Sequence, residues 1–580
     1  MKINQVQGQK YLWKIPVHAR EVVQEIAARC SLAYPLAQTL LSRGFVSYEQ
    51  VQDFLLTYEE KDVADPGLLK DGHKAVKRIL RAIEDKEKIL IFGDYDVDGI
   101  TSSSLVLTAL LPLGAQVNFY LPNRLRDGYG LSTKIVQKAA QNGYKVIITV
   151  DNGITAFEPV RVAKELGIDV IITDHHRPHD HLPDAYAIVN PHQVDCAYPY
   201  KYFAGVGVAF KLMSLLYQQK NMKLPDKVIE LLLLGTVADV VPLTGENRYW
   251  VRHGLAHINQ YESQALQVLK QNSNFSKPTL LSTDIGFSIT PQINALGRLD
   301  DPRQGVAFLI GDDYDTTLHV GKVLHELNNA RKEIERSIVE EIEGQIRSGH
   351  INLDRENIIM AASKNWPAGV IGLVASRFVG MYGKPTILFH LSSDGLAKGS
   401  CRSIKEFNMF NALHEHKELL TSFGGHSVAA GLALPLDNVK ILKEKLETLV
   451  AQQLSPEDLQ LKLEVDGVAQ LADFSSTFMA QLEQFEPFGH ENKQPYFCVQ
   501  GLVLVQKPVL LKEAHVKCLV FADGVIKPLI FFYRKDLFDL LVDHGDKPFD
   551  VVAQVTQNYW QGNYTIELIG IDIYLGEKYA

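Results

Sequence analysis

The sequence predicts a multidomain α/β protein. A parallel-sheet domain is joined by a long helix to a second α/β domain, and an all-β barrel of the OB-fold type follows. Three observations lead there. Short apolar runs alternate with helical stretches from residue 88 to about 175, the pattern of a parallel sheet covered on both faces. Apolar residues then recur at helical spacing from Leu318 to Arg347, enough for a helix of ~40 Å. From about Leu461, strand-like runs separated by turn residues replace the helices.

Taken in order, residues 1–85 read as a helical or mixed region ending in the charged run EDKEK. Residues 86–317 hold the strand–helix rhythm. KILIF, QVNFYLP, KVIITVDNG and DVIITDHH are strands, and TSSSLVLTALLPL, STKIVQKAAQNG and EPVRVAKELG are the helices between them. Residues 318–348 form the connecting helix, with the charge-dense polar face RKEIER and EEIEGQ. A new rhythm (NIIMAAS, PTILFHL) fills 349–455. Residues 461–577 form a barrel of about five strands, a fold that often binds single-stranded nucleic acid with a basic groove and exposed aromatics. Tyr533, Tyr559, Trp560 and Tyr564 are candidates for that role, though ordinary barrel packing is the stronger expectation for each.

Composition sets bounds. A chain of 580 residues exceeds the ~250–300 residues of a single core. A net charge of -9 argues against a general nucleic-acid coat but leaves room for a local basic groove. The five cysteines form no C-x-x-C pair, which excludes a zinc ribbon and a disulfide framework and fits a reducing, cytoplasmic compartment. The N-terminus has no apolar signal segment. The greasiest stretch, VIELLLLGTVADVVPL, is interrupted by Glu230 and Asp239 and is too short to span a membrane.

The chemistry lies where apolar elements end. In KILIFGDYDVDGI, Asp94, Asp96 and Asp98 alternate, and in an extended chain they would share one face. Three such carboxylates repel each other and demand a positive partner. Asp151 follows KVIITV; Asp174, His175 and His176 follow DVIIT; Asp239 follows a fourth apolar run. Helix capping explains any one of these acids. Five acids and two imidazoles at four element ends point instead to hard or borderline cations, Mn2+ or Mg2+. So many carboxylates suit two ions, the arrangement that cleaves phosphate esters. His179 and His181 read as exposed loop residues.

GDYDVDG, VDNG, DHH and ADVVPL resemble the motifs of the DHH phosphoesterase family. PNRLRDGYG, NALGRLDDP, WPAGVIGLVASR, GSCRS, FGGHSVAAG and EPFGHEN extend the likeness to the family's bacterial single-strand-specific exonucleases, over residues 90 to 492. The resemblance implies a DHH domain, a DHHA1 domain and an OB-fold. It implies an enzyme that degrades single-stranded DNA from the 5′ end to 5′-mononucleotides, in recombination and repair. It also implies two ions, Mn2+ or Mg2+, held by Asp94, Asp96, Asp98, Asp151, His175 and Asp239. Asp98 and His176 would serve the catalytic step, His176 as acid or charge stabiliser beside the scissile phosphate. A clamp on the 5′-phosphate and backbone would comprise Arg124, Arg298, Ser400, Arg402, Gly424, Gly425 and His426. Arginine forks match phosphate oxygens, and glycine backbone lets an anion approach. Single-stranded-DNA-binding protein and a helicase are the implied protein partners, and the chain is expected to be monomeric.

Two departures from the family stand out. Phe92 takes the place, four residues before Asp96, where many relatives carry histidine, so one metal loses an imidazole or leans on Asp94. Pro367 follows the tryptophan where some relatives carry histidine. The alternative function is a DHH phosphodiesterase acting on short oligonucleotides or cyclic dinucleotides.

Overall fold

The computed structural model describes residues 2–56, 62–123, 128, 130–560 and 563–576. The chain forms two compact units. One contains Thr57–Arg331 with Glu486–Lys493; the other contains the residues up to Leu56, Lys332–Phe485 and those from Gln494 onward.

The first unit is built on a five-stranded sheet in the order Gln116–Tyr120, Lys88–Phe92, Tyr144–Val150, Asp169–Thr173, Ala187–Val189. Every neighbouring pair is parallel, as the strand–helix rhythm predicts. Its inner strands are mostly apolar because both faces are covered, while the edge strand Gln116–Tyr120 carries exposed Gln116 and Asn118. Ile89, Ile91, Ile148 and Ile171 enter one core, and Leu90, Phe92, Ile147 and Ile172 enter the other. Each such side chain contributes ~1.5–3 kcal/mol on burial. Phe92 pairs with Thr149 and Val150 with Thr173, so three strands end at one sheet edge.

One expectation is corrected here. Asp94, Asp96 and Asp98 do not share an extended face. The strand stops at Phe92, and the helix Val97–Leu110 begins four residues before the TSSS stretch. Asp96 is its N-cap, accepting a hydrogen bond from the Gly99 amide at 3.1 Å, and Asp98 lies in the first turn. The capping reading therefore holds for Asp96. A strand-to-helix turn, rather than a strand, gathers the three acids.

The connecting helix runs Tyr314–Arg347. Its residues through Arg331 belong to the first unit and those from Lys332 to the second. In the second unit a five-stranded sheet has the order Ser422–Gly425, Ala429–Pro435, Leu396–Arg402, Thr386–Leu391, Ile359–Ser363. Only the last pair is parallel. The C-terminal strands Phe497–Leu504, His515–Ala522, Val525–Phe531, Phe549–Trp560 and Asn563–Tyr574 close into a barrel where Val503 pairs with Phe521. The short strands Gly467–Ala469 and Val509–Leu511 add to its rim.

The N-terminal region holds a hairpin, Lys2–Gln7 with Leu12–Val17, that the helical or mixed reading did not contain. Its turn is fixed from the far end of the chain. The buried Asp572 carboxylate accepts hydrogen bonds from the Lys10 and Tyr11 amides and from Trp13 Nε1. A Cβ on Gly8 would lie 2.2 Å from that carboxylate, so only glycine fits the turn. The barrel aromatics also differ from expectation. Tyr533 is 78% exposed and Tyr564 56% exposed, so neither is core, and Tyr559 packs on Tyr564 at 4.9 Å. The Trp560 side chain lies outside the described residues.

Among the described residues, no helix is long and apolar enough to cross a membrane.

Candidate metal centre

The strand ends and three helices bring the acids together. Asp151 directly follows the Tyr144–Val150 strand, with its backbone in the left-handed region at φ 59° and its amide donating to Thr173 O at 3.1 Å. Asp98 is 1% exposed, and the N-terminus of the helix Gly205–Gln219 holds it. The Gly205 amide donates to Oδ2 at 2.5 Å and the Val206 amide to Oδ1 at 2.8 Å. A helix N-terminus favours a carboxylate through its unpaired amides and dipole. Asp239 follows the helix Lys227–Ala238.

Gly205 is a tight point beside Asp151. A Cβ there would lie 2.5 Å from Asp151 Cβ. Glycine thus lets one helix start reach Asp98 while passing over Asp151.

His175 shows most clearly what the centre requires. Burial and the neighbouring His176 charge lower its pKa to about 3, so the imidazole is neutral. Its buried Nε2 has no hydrogen-bond partner. Yet it lies 3.1 Å from Asp151 Oδ1, 3.6 Å from Asp239 Oδ2 and 3.9 Å from Asp98 Oδ2. A buried ring nitrogen and three carboxylates crowded together with no hydrogen bond to that nitrogen are a costly arrangement, and a cation among them removes the cost.

Three overlapping donor groups are close enough to hold ions: Asp94, Asp96 and Asp151; Asp98, His175 and Asp239; and Asp151, His175 and His176. Asp151 belongs to the first and third and touches the second through His175. The donor set is carboxylate-rich with imidazole and no thiolate, which fits Mn2+ or Mg2+.

Asp174 has a different place from the other acids. It is buried, and its Oδ1 accepts from the His175 amide at 2.7 Å, the His176 amide at 3.0 Å and His176 Nδ1 at 2.8 Å. Its Oδ2 accepts from the Ile154 amide at 2.9 Å. Burial would raise its pKa, but the hydrogen bond and charge of His176 hold it below the usual value. Asp174 therefore orients His176. Burial would lower the His176 pKa, but the Asp174 hydrogen bond and the charges of Asp174, Asp98 and Asp94 raise it to about 9.

The remaining acids carry the cost of crowding. Burial, then the Asp96 charge, pushes Asp98 up to about 7 despite its two amide hydrogen bonds. Burial and the surrounding carboxylates push Asp151 and Asp239 well above the ordinary range. For these three, and for His176, the folded-state pKa exceeds the unfolded one. The folded state then binds the extra protons, and stability falls as pH rises through the folded values. His175 is shifted the other way, but its contribution is complete above about 6.5. Metal-stripped protein should therefore melt at a lower temperature at pH 9 than at pH 6.5 by scanning calorimetry. Saturating Mn2+ at pH 9 should restore it. A drop that Mn2+ leaves untouched would show that these carboxylates are not a shared cation site.

Phe92 does not replace the missing imidazole with another ligand. Its ring is fully buried in the apolar layer and stacks on Tyr120 at 5.9 Å. His179 and His181 are exposed and pack around Phe157, as expected of loop residues.

Of the expected phosphate-reading residues, Arg298 is in the first unit, on the helix Thr290–Leu299. A Cβ on its neighbour Gly297 would lie 2.2 Å from Tyr95 O, so this helix rests directly on the Asp94–Asp96 turn. Arg124 lies outside the described residues, as does Arg126.

The second unit carries the others. Arg402 Nη1 donates to Ser400 Oγ at 3.2 Å and to Cys401 O at 2.8 Å. Ser400 pairs with Gly431, and Gly431 with Gly424, so a row of small residues crosses three strands beside the guanidinium. Gly372, on the helix Ala368–Tyr382, has no room for a Cβ beside Ser400 Oγ, so that helix packs tightly over the row. Gly424 and Gly425 are exposed, and Gly425 has φ 135° and would place a Cβ 2.4 Å from Ala429 O. The His426 amide donates to Ala429 O at 2.8 Å and the residue is exposed. Pro367 caps the helix Ala368–Tyr382.

Sequence reasoning missed Gly205 and Val206, whose amides hold Asp98. Their signal was the glycine-containing helix start AGVGVAF following an aromatic loop.

Comparison with known proteins agrees with this layout. Residues 88–236 match the DHH family N-terminal domain, 355–452 the DHHA1 domain and 465–572 the RecJ OB domain. The single-stranded-DNA-specific exonuclease RecJ of Bacillus subtilis is 34% identical, over 98% of this chain and 71% of its own. That of Escherichia coli is 33% identical, over 96% and 98%. The crystal structure of RecJ from Thermus thermophilus in complex with Mn2+ superposes with a TM-score of 0.82 at 25% identity, over 98% of this chain and 80% of that one.

Proposed function

The chain belongs to the RecJ exonucleases of the DHH family, and from that premise we infer that it is a metal-dependent exonuclease of single-stranded DNA. It removes 5′-mononucleotides in the 5′→3′ direction, in DNA recombination and repair. The observation that carries the reading is the neutral His175 Nε2 facing three carboxylates.

Asp94, Asp96 and Asp151 would hold one ion, and Asp98, His175 and Asp239 the other, with Asp151 shared. Two Mn2+ or Mg2+ ions supply water activation and neutralise charge developing on the phosphate. Asp98 holds its place because two helix amides fix both oxygens, and burial beside the charged His176 keeps His175 neutral. Protonated His176, aligned by Asp174, offers a proton or positive charge to the departing 3′ oxygen. Phe92 leaves the Asp94–Asp96 ion without an imidazole, so that ion has the harder, all-oxygen set.

Arg402, Ser400, the exposed Gly424–Gly425 backbone and His426 would read the terminal 5′-phosphate, with Arg124 and Arg298 on the strand backbone. Replacing Arg402 by alanine should weaken use of 5′-phosphorylated oligonucleotides about 10–100-fold, a lost charge-assisted bidentate contact. Strands ending in a 5′-hydroxyl should lose far less. Equal loss on both ends would remove Arg402 from the clamp.

The physiological substrate is a strand already unpaired. Single-stranded-DNA-binding protein and a helicase are the partners this requires, in the cytoplasm.

A further inference from the structure

Beside the metal centre is an aromatic residue that the reaction chemistry does not use. Tyr202 is 52% exposed, yet its backbone carbonyl is held by a hydrogen bond. Its carbonyl accepts a hydrogen bond from Asn247 Nδ2 at 2.6 Å, and the same amide donates to Pro242 O at 3.0 Å, three residues beyond Asp239. Tyr202 is therefore tied, through Asn247, to the segment that follows Asp239.

The ring is buttressed as well. His192 meets it edge-on at 6.3 Å and 74°, and Tyr200 at 5.9 Å and 78°. Neither support is loose. The His192 amide donates to Asn190 Oδ1 at 2.8 Å, and Asn190 Nδ2 donates to His176 O at 2.9 Å. Tyr200 donates through its hydroxyl to Pro242 O at 3.3 Å. Half the residue still faces solvent. Arg177, directly after His176, is exposed.

A half-exposed ring at an ordinary surface position has no such scaffolding. Here His192, Tyr200 and Asn247, each linked by hydrogen bonds to a segment that adjoins metal-centre residues, hold one aromatic residue in place. We propose that Tyr202 is a stacking platform for a nucleobase of the single strand next to the scissile phosphate, with His192 and Tyr200 as its supports. Stacking suits this enzyme because every base presents a π-face, so the strand is held without its sequence being read. The inference rests on the exonuclease reading above and specifies where a base lies relative to the metal centre.

The test uses 5′-phosphorylated oligonucleotides carrying one abasic residue, moved stepwise from the first to the fourth position. With the wild-type protein, kcat/KM should fall about tenfold at one position, the size of one lost stack. Tyr202→Ala should lose about tenfold on the intact strand, mainly through KM. It should lose nothing more when the abasic residue occupies that position. Tyr202→Phe and Tyr202→Trp should keep the wild-type values. Equal loss by Tyr202→Ala on intact and abasic strands would assign the residue a purely structural role and overturn the platform. So would an unchanged KM on the intact strand. If wild-type protein released no mononucleotide from the intact strand, the exonuclease reading itself would fail and the platform with it.

Discussion

Asp151→Asn is expected to reduce mononucleotide release from single-stranded DNA by at least about a thousandfold, the largest effect of any single change. Its carboxylate lies with Asp94 and Asp96 on one side and 3.1 Å from His175 Nε2 on the other. An amide has nearly the same shape but carries no charge, so both halves of the centre lose an anion at once. Removing one transition-state donor already costs about 10²–10³ elsewhere. The fold should survive, because Asp151 adds repulsion rather than cohesion to the metal-free protein. Its pKa is pushed up by burial and by Asp98, Asp96 and Asp239. The metal-free variant should therefore melt at or above the wild-type temperature at pH 9. Retained turnover, or a collapsed fold, would each contradict the placement of Asp151.

Gly205→Ala is the second large effect, although Gly205 supplies no ligand atom. The added methyl would sit 2.5 Å from Asp151 Cβ and 2.8 Å from its Cα. Neither is the end of a flexible side chain, so the helix start must withdraw. The amides of Gly205 and Val206 then move off Asp98, which is 1% exposed and depends on them. Overpacking of this kind costs ~1–3 kcal/mol of stability. Displacing a group that orients a metal ligand costs about 10–100-fold in affinity or activity. Calorimetric titration with Mn2+ and steady-state turnover should both register the change. Wild-type Mn2+ affinity in a folded Gly205→Ala protein would show that the helix start does not set the geometry of Asp98.

These two residues mark how far the sequence alone reaches. Asp151 was legible because a buried strand that ends in an acid is unusual, and three parallel strands must end at one edge. The same reasoning applied to His175, while Asp239 was singled out as the acid after a fourth apolar run, which is the helix Lys227–Ala238. Gly205 was not legible, because its role depends on contact with a residue 54 positions earlier, and a glycine at a helix start has many possible reasons. The opening acids fall between these cases. Alternation at Asp94, Asp96 and Asp98 looked like a strand face, but Gly93 ends the strand and Asp96 caps the next helix. Composition found the cluster, while periodicity misjudged the backbone that builds it.

The fold shows a similar division. Parallel strands, the long helix and the barrel each have a local period that the chain displays openly. The N-terminal hairpin does not. It is short, and much of its stability comes from Asp572 and from pairing with Lys462–Glu464, more than 400 residues away. Local pattern carries no trace of such partners. Tyr564 was misplaced for a related reason, since in a barrel strand only the face decides between core and surface, and Tyr533 because it lies in the turn after the Val525–Phe531 strand.

The most direct test is a timed digest of a long single-stranded oligonucleotide, labelled in turn at each end, with Mn2+ supplied and withheld. With Mn2+, the 5′ label should appear as mononucleotide at the earliest times, while the 3′ label stays in fragments that shorten gradually. Without the metal, both should remain in the intact strand. Release of the 3′ label first, cleavage into mid-length pieces, or the same digestion without Mn2+ would contradict a metal-dependent 5′→3′ exonuclease built on the Asp151 centre.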